Sequence, residues 1–96
     1  MKYLNPERRR VRKSLILIVS CGHCKSNLVR YQKVGRGNLL RMYIDRIIES
    51  EMPIHSKTQD LVCPNCHQEI ANRIHVRQRG VDAFRMHRAT YNIRQE

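Results

Sequence analysis

The chain contains no tryptophan and a single phenylalanine, Phe84, so the bulkiest core fillers are nearly absent from a sequence of 96 residues. That length is one small domain, and a domain of this size gains little net stability from an apolar core alone. Acidic residues are also scarce, 8 against 19 Lys and Arg, giving a formal net charge of +11. No stretch approaches the ~18 apolar residues of a membrane span. Catalytic patterns are missing as well. Asp45, Asp60 and Asp82 are scattered, His55, His75 and His87 show no catalytic spacing, and neither a serine-nucleophile motif nor a phosphate-cradling glycine loop occurs. The expectation is a binding module and not an enzyme.

Four cysteines are present, and they fall into two C-x-x-C pairs, Cys21-Gly22-His23-Cys24 and Cys63-Pro64-Asn65-Cys66. At this spacing both thiolates of a tight turn reach one ion, and two pairs complete the closed tetrahedral set typical of structural zinc. One zinc ion on Cys21, Cys24, Cys63 and Cys66 is therefore expected, with iron as the other metal that accepts four thiolates. Such a site contributes directly to folding, because the unfolded chain has no preformed site. The gap between the pairs is longer than the common ~15–20 residues and leaves room for a hairpin. His23 and His67 adjoin the pairs, and either could replace a cysteine as ligand, but with four cysteines present the expectation is a donor near the sulfurs or an exposed side chain. Four thiolates leave no open position for catalysis.

Along the chain, residues 1–14 read as a basic arm. Asn5-Pro6-Glu7 resembles a helix start, with Asn5 as cap and Pro6 in the first turn, so a short helix carrying Arg8, Arg9, Arg10, Arg12 and Lys13 is one expectation and a solvated tail the other. Residues 15–19 form a β-branched apolar run that reads as a buried strand delivering Cys21. Ile18-Val19-Ser20-Cys21 also resembles a lipoprotein cleavage box, but the run is shorter than the ~7–15 residues of a signal core. A cytoplasmic, reducing compartment is expected, where paired cysteines are more often metal ligands than disulfides. Residues 27–34, a turn at Gly35-Arg36-Gly37-Asn38 and residues 39–48 suggest a first hairpin with Leu40, Met42 and Ile44 on its inner face. Residues 49–60 read as a polar linker. Residues 70–77, a turn at Gln78-Arg79-Gly80 and residues 83–88 suggest a second hairpin, and residues 89–96 a tail. Cys21 to Leu40-Arg41-Met42 and Cys63 to Phe84-Arg85-Met86 run in parallel, 19 against 21 residues from cysteine to Leu or Phe, an approximate internal repeat of knuckle, strand, turn and strand.

The two pairs, the Cys63-Pro64-Asn65-Cys66 knuckle and the flanking strands resemble the zinc-ribbon class over 15–86. The resemblance implies a small, mainly-β domain spanning 15–88, with each knuckle followed by a β-hairpin. It also implies a place in ribosomal or transcription machinery. The first knuckle departs from the usual pattern, with no Pro after Cys21 and with Lys25 where Gly is common. Cys21-Gly22-His23-Cys24-Lys25 looks in addition like the active-site segment of protein disulfide isomerases, whose reactive cysteine sits at a helix start. The sequence after Cys24 reads as strand and turn, and a second C-x-x-C is unexplained by that reading.

A zinc tetrathiolate would leave the chain near +9, still attractive to polyanions. Candidate nucleic-acid contacts are Arg8, Arg9, Arg10, Arg12, Lys13, Arg36, Arg41, Arg77, Arg79 and Arg85, with Arg30, Lys33 and Arg73 also on the hairpins. Tyr31 and Tyr43 are candidates to stack on unpaired bases, or to pack on the sheet. RNA, in particular ribosomal RNA, is the expected partner, because no helix offers a groove-reading face and basic arms on small zinc modules suit ribonucleoproteins. The competing expectation is a zinc-stabilised subunit of a larger protein complex, docking through Met52, Ile54, Tyr91 and Ile93. No membrane partner is expected.

Overall fold

The computed structural model describes all 96 residues. Short β-branched runs broken by Gly, Pro and Asn produce nine strands: β1 (Tyr3–Leu4), β2 (Leu15–Cys21), β3 (Asn27–Lys33), β4 (Arg41–Tyr43), β5 (Ile47–Ser50), β6 (Asp60–Val62), β7 (Glu69–Val76), β8 (Val81–Met86) and β9 (Tyr91–Gln95). One 3-10 turn, Ile44–Arg46, lies between β4 and β5, and there is no α-helix. The strands form two antiparallel sheets, ordered β1-β5-β3-β2-β9 and β4-β8-β7-β6. The core lies between them. Val19, Leu28, Tyr31 and Ile47 from the first sheet meet Met42, Leu61, Ile70 and Phe84 from the second, and Cys21 and Cys63 close one side of the same cluster. This is a small mainly-β domain of zinc-ribbon type.

Both knuckles form the turns of hairpins, and the second is also followed by one. β2 returns as β3 through the first, and β6 returns as β7 through the second. The β7–β8 hairpin forms as expected. The hairpin expected from residues 27–48 does not. At Gly35 and Gly37, with φ of +79° and +104°, the chain leaves the first sheet. β4 then pairs with β8 in the second, and β5 comes back beside β3. Within β4, Met42 is buried as expected, but Leu40 lies before the strand and is exposed, and Leu39 is buried.

The two halves meet where β4 pairs with β8. Arg41 lies opposite Arg85 and Met42 opposite Phe84. The Met86 amide donates to the Leu40 carbonyl at 3.0 Å, the equivalent contact with the halves exchanged. An approximate two-fold axis therefore passes between Arg41 and Arg85, and it is broken by β4 leaving β3.

Both termini belong to the fold. No helix follows Asn5. The Asn5 side chain does accept the Glu7 amide as a cap would, at 3.1 Å. Its amide group, however, donates to the Ile44 and Ile47 carbonyls at 2.7 and 2.8 Å. The residue is buried, and β1 runs beside β5. Gln32 then holds the arm, donating to the Arg9 carbonyl and accepting the Val11 amide. The run of like charges from Arg8 to Arg12 opposes a helix, and these tertiary bonds replace it. At the other end, β9 pairs with β2 along its length. The expected linker is also internal. Met52 and Ile54 are buried, and Tyr3 Oη donates to the Ile54 carbonyl at 2.6 Å. Neither residue is available for docking to another protein.

Candidate metal centre and basic surface

Each knuckle is built by the same backbone bonds. Cys21 N donates to Ser26 O and Lys25 N to Cys21 O, at 2.9 and 3.0 Å. Cys63 N donates to Gln68 O and His67 N to Cys63 O, at 2.8 and 2.9 Å. The fourth residue after each leading cysteine closes the turn in the left-handed region, Lys25 and His67 both at φ +67°. This explains why Gly is favoured there, and the Lys25 ammonium donates back to the Gly22 carbonyl at 2.9 Å.

The four Sγ atoms lie within 4.8 Å of one another. Two of the separations cross between knuckles, Cys21 to Cys66 at 3.4 Å and Cys24 to Cys63 at 3.6 Å. These two pairs exchange under the approximate two-fold. Four sulfurs ~2.3 Å from a tetrahedral ion stand about 3.8 Å apart, whereas a disulfide needs about 2.0 Å. The cysteines are free thiols positioned to hold one metal ion. His23 and His67 are exposed and lie outside the cluster. The two cysteine pairs of the sequence are thus the four residues that the fold brings together.

Crowding divides the thiols. The Ser26 hydroxyl, the Asn65 amide and the Ser26 backbone amide stabilise the Cys24 thiolate and pull it down to about 5. Burial would raise Cys21, but the Cys24 and His23 amides and the Cys66 thiol outweigh it and lower it. The Gln68 amide pulls Cys66 down, yet burial and the three neighbouring sulfurs push it up to about 12. At pH 7 Cys24 is thus a thiolate and Cys66 a thiol, and a divalent cation must displace the remaining protons. Loading zinc at pH 7 is expected to release about one to three protons and not four. Calorimetry in buffers of different ionisation enthalpy measures that number. Acid competes for the same sulfurs, so zinc retention is expected to fall as the pH drops. Retention that does not change with pH would contradict four-thiolate ligation.

Ser26 and Asn65 were not singled out in the sequence. Ser26 Oγ lies 3.2 Å from Cys24 Sγ, and Asn65 Nδ2 donates to that hydroxyl at 3.4 Å. A polar residue two positions after a knuckle cysteine is the only available signal. Gly22 has a clearer role. Its amide donates to the Thr90 carbonyl at 2.9 Å, and a Cβ there would meet Thr90 and Tyr91 backbone atoms at 3.0–3.1 Å. The knuckle and the start of β9 must therefore separate if Gly22 gains a methyl group. Gly22→Ala is expected to cost about 1–3 kcal/mol, read as a lower urea midpoint of the zinc-loaded protein.

Cys21 ends a strand, and a turn to another strand follows Cys24. The helix start that activates a thioredoxin-type cysteine is absent.

All ten basic residues expected to contact nucleic acid are exposed. Only Arg79 among them has an acidic partner, Asp45 at 3.3 Å. The other Arg ion pairs use Arg30, with Glu49 and Glu96, and Arg73, with Asp82. Arg73 is fixed further by the His55 and Thr58 carbonyls. His75 Nδ1 at 2.8 Å and the Arg73 guanidinium at 2.7 Å together hold the Asp82 carboxyl below its usual range.

The basic residues form a track along four recesses. Arg8, Arg10, Arg12 and Lys13 line one recess, and Arg8, Arg9, Arg73 and Arg79 a second of about 860 Å³ that Glu7, Asp45 and Asp82 also line. Arg79 and Arg46 both pack on the Tyr43 ring, 4.4 and 4.9 Å from its centroid. Arg46, Lys33 and Arg41 line a third recess, and Arg41, Arg85 and Arg88 a fourth. Arg36 and Arg77 occupy exposed turns outside these recesses. Tyr31 is 1% exposed and lies in the core, its hydroxyl accepting the Tyr43 amide, so it cannot stack on a base. Arg46 and Arg88 joined the track only through the crossing of β4 to β8, which the sequence did not reveal.

No model of a known protein family matches the chain, and neither the curated proteins nor the solved structures contain a match.

Proposed function

We propose that the chain is a zinc-stabilised module that binds RNA along the basic track, as a component of a ribonucleoprotein such as the ribosome. Cys21, Cys24, Cys63 and Cys66 would hold the zinc, which acts as a cross-link between the two sheets and not as a reagent. The reading assigns no catalysis to the chain.

One observation carries it. Arg41 and Arg85 face each other on adjacent strands with no acidic residue beside them. Like charges directly opposite destabilise a sheet, and an exposed site offers water-compatible neutral alternatives at no structural cost. A polyanion converts that repulsion into binding, because guanidinium pairs with phosphate in a bidentate way.

The test is the salt dependence of RNA binding by the zinc-loaded chain. The logarithm of affinity is expected to fall linearly with the logarithm of salt concentration. Arg41→Gln is expected to reduce that slope by about one and to leave the melting temperature unchanged or raise it. Salt-insensitive, stoichiometric association with one protein would favour the alternative of a subunit in a larger protein complex.

A further inference from the structure

The fourth recess of the track differs from the others. It is a groove of about 640 Å³ between the edge of one sheet at β4 and the edge of the other at β9. Leu40 stands in it 65% exposed and Ile93 42% exposed. Neither is accidental surface. Leu39, the preceding residue, is buried, and Tyr91 Oη donates to its carbonyl. The Leu40 carbonyl in turn accepts the Met86 amide. The backbone is tied on both sides, so Leu40 is held outwards and the groove is formed before any partner arrives.

Three chemistries converge there. Leu40 and Ile93 give an apolar wall. Asn38 and Asn92, both exposed, bring side-chain amides that carry no bond within the protein. Arg41, Arg85 and Arg88 supply cations without acidic partners. An acidic peptide with an apolar residue could also use all three, its backbone bonding the amides, but three arginines without acidic partners, continuous with the basic track, favour phosphates. A nucleotide uses all three: the base packs on the wall, its edge meets an amide that offers both donor and acceptor, and its phosphates meet the guanidiniums. A paired base in a duplex cannot present its face to such a wall.

We infer that this groove takes one unpaired base of a single-stranded RNA segment, with the flanking phosphates on Arg41, Arg85 and Arg88. The site rests on the RNA reading above and adds strand specificity to it. The rest of the track binds phosphate in either form of RNA, and only the groove distinguishes single strands from duplex.

Fluorescence anisotropy of the zinc-loaded chain with a mixed-sequence single-stranded RNA 10-mer and with a blunt RNA duplex tests it. Leu40→Ser removes the wall at an exposed position, and the circular dichroism spectrum and zinc content verify that the variant folds. It is expected to weaken single-strand binding about 5–10-fold, with the salt slope and duplex affinity unchanged. Asn92→Ala is a second variant with the same expected pattern. Wild-type binding to RNA in which both variants behave as wild type on single strands would overturn the groove and leave the RNA reading standing. Equal losses on single strands and duplex would also overturn it. Failure of the wild-type chain to bind either RNA would overturn both, and binding of a poly-glutamate peptide containing leucine in its place would assign the groove to protein.

Discussion

Replacing Cys63 by serine is expected to abolish the folded state at neutral pH. A single substitution leaves three thiolates and an open position, and a structural four-thiolate site binds zinc with an apparent free energy of about 10–16 kcal/mol. A small domain has only about 5–15 kcal/mol of net stability, so this one contribution rivals the whole. The geometry enlarges the consequence. Cys63 is buried in the same cluster as Phe84 and Leu61, and the first knuckle carries β9 through Gly22 and Thr90. Loss of metal therefore releases both sheets and the groove between them. Circular dichroism and one-dimensional proton spectra before and after adding a zinc chelator are expected to show the same collapse in the wild-type chain, reversed by adding zinc. A well-dispersed spectrum of Cys63→Ser without metal would contradict this account.

The second large effect is electrostatic. Replacing Arg8, Arg9, Arg10, Arg12 and Lys13 together by glutamine is expected to weaken RNA binding about 10²–10³-fold at 0.1 M salt and to reduce the salt slope by about 3–4. The fold should persist, because the arm is held by its backbone and by Asn5, with Gln32 taking the Arg9 carbonyl and the Val11 amide. None of the five side chains forms an ion pair within the protein. An unchanged melting temperature with lost affinity separates this outcome from unfolding. Unchanged affinity would remove the arm from the interface.

How much of this could be read from residues alone follows from how local each signal is. The clustering of the four cysteines was legible, because a C-x-x-C turn is fixed by five or six consecutive residues and two such turns can converge on one ion. β2, β7 and the β7–β8 turn were legible for the same reason. What failed depends on partners distant in sequence. Leu40 and Met42 fit strand alternation, yet only Met42 is buried, because β4 begins at Arg41 and Leu40 lies before it at the sheet edge. Asn5 carries true capping chemistry, but its amide is claimed by carbonyls about forty residues away. Residues 49–60 are polar in composition, and only the packing of Tyr3 against that segment shows that Met52 and Ile54 belong to the core. The basic set was right in its exposure, while its continuity came from the strand crossing that no local pattern encodes.

The central claim is that one zinc ion joins the two halves of this chain through Cys21, Cys24, Cys63 and Cys66. Native mass spectrometry with elemental analysis of the purified, untreated protein tests it most directly. The account predicts one zinc per chain, lost together with the folded charge-state distribution when the four cysteines are alkylated. A metal-free chain that keeps its compact charge states, with the four thiols free or joined as disulfides, would contradict it.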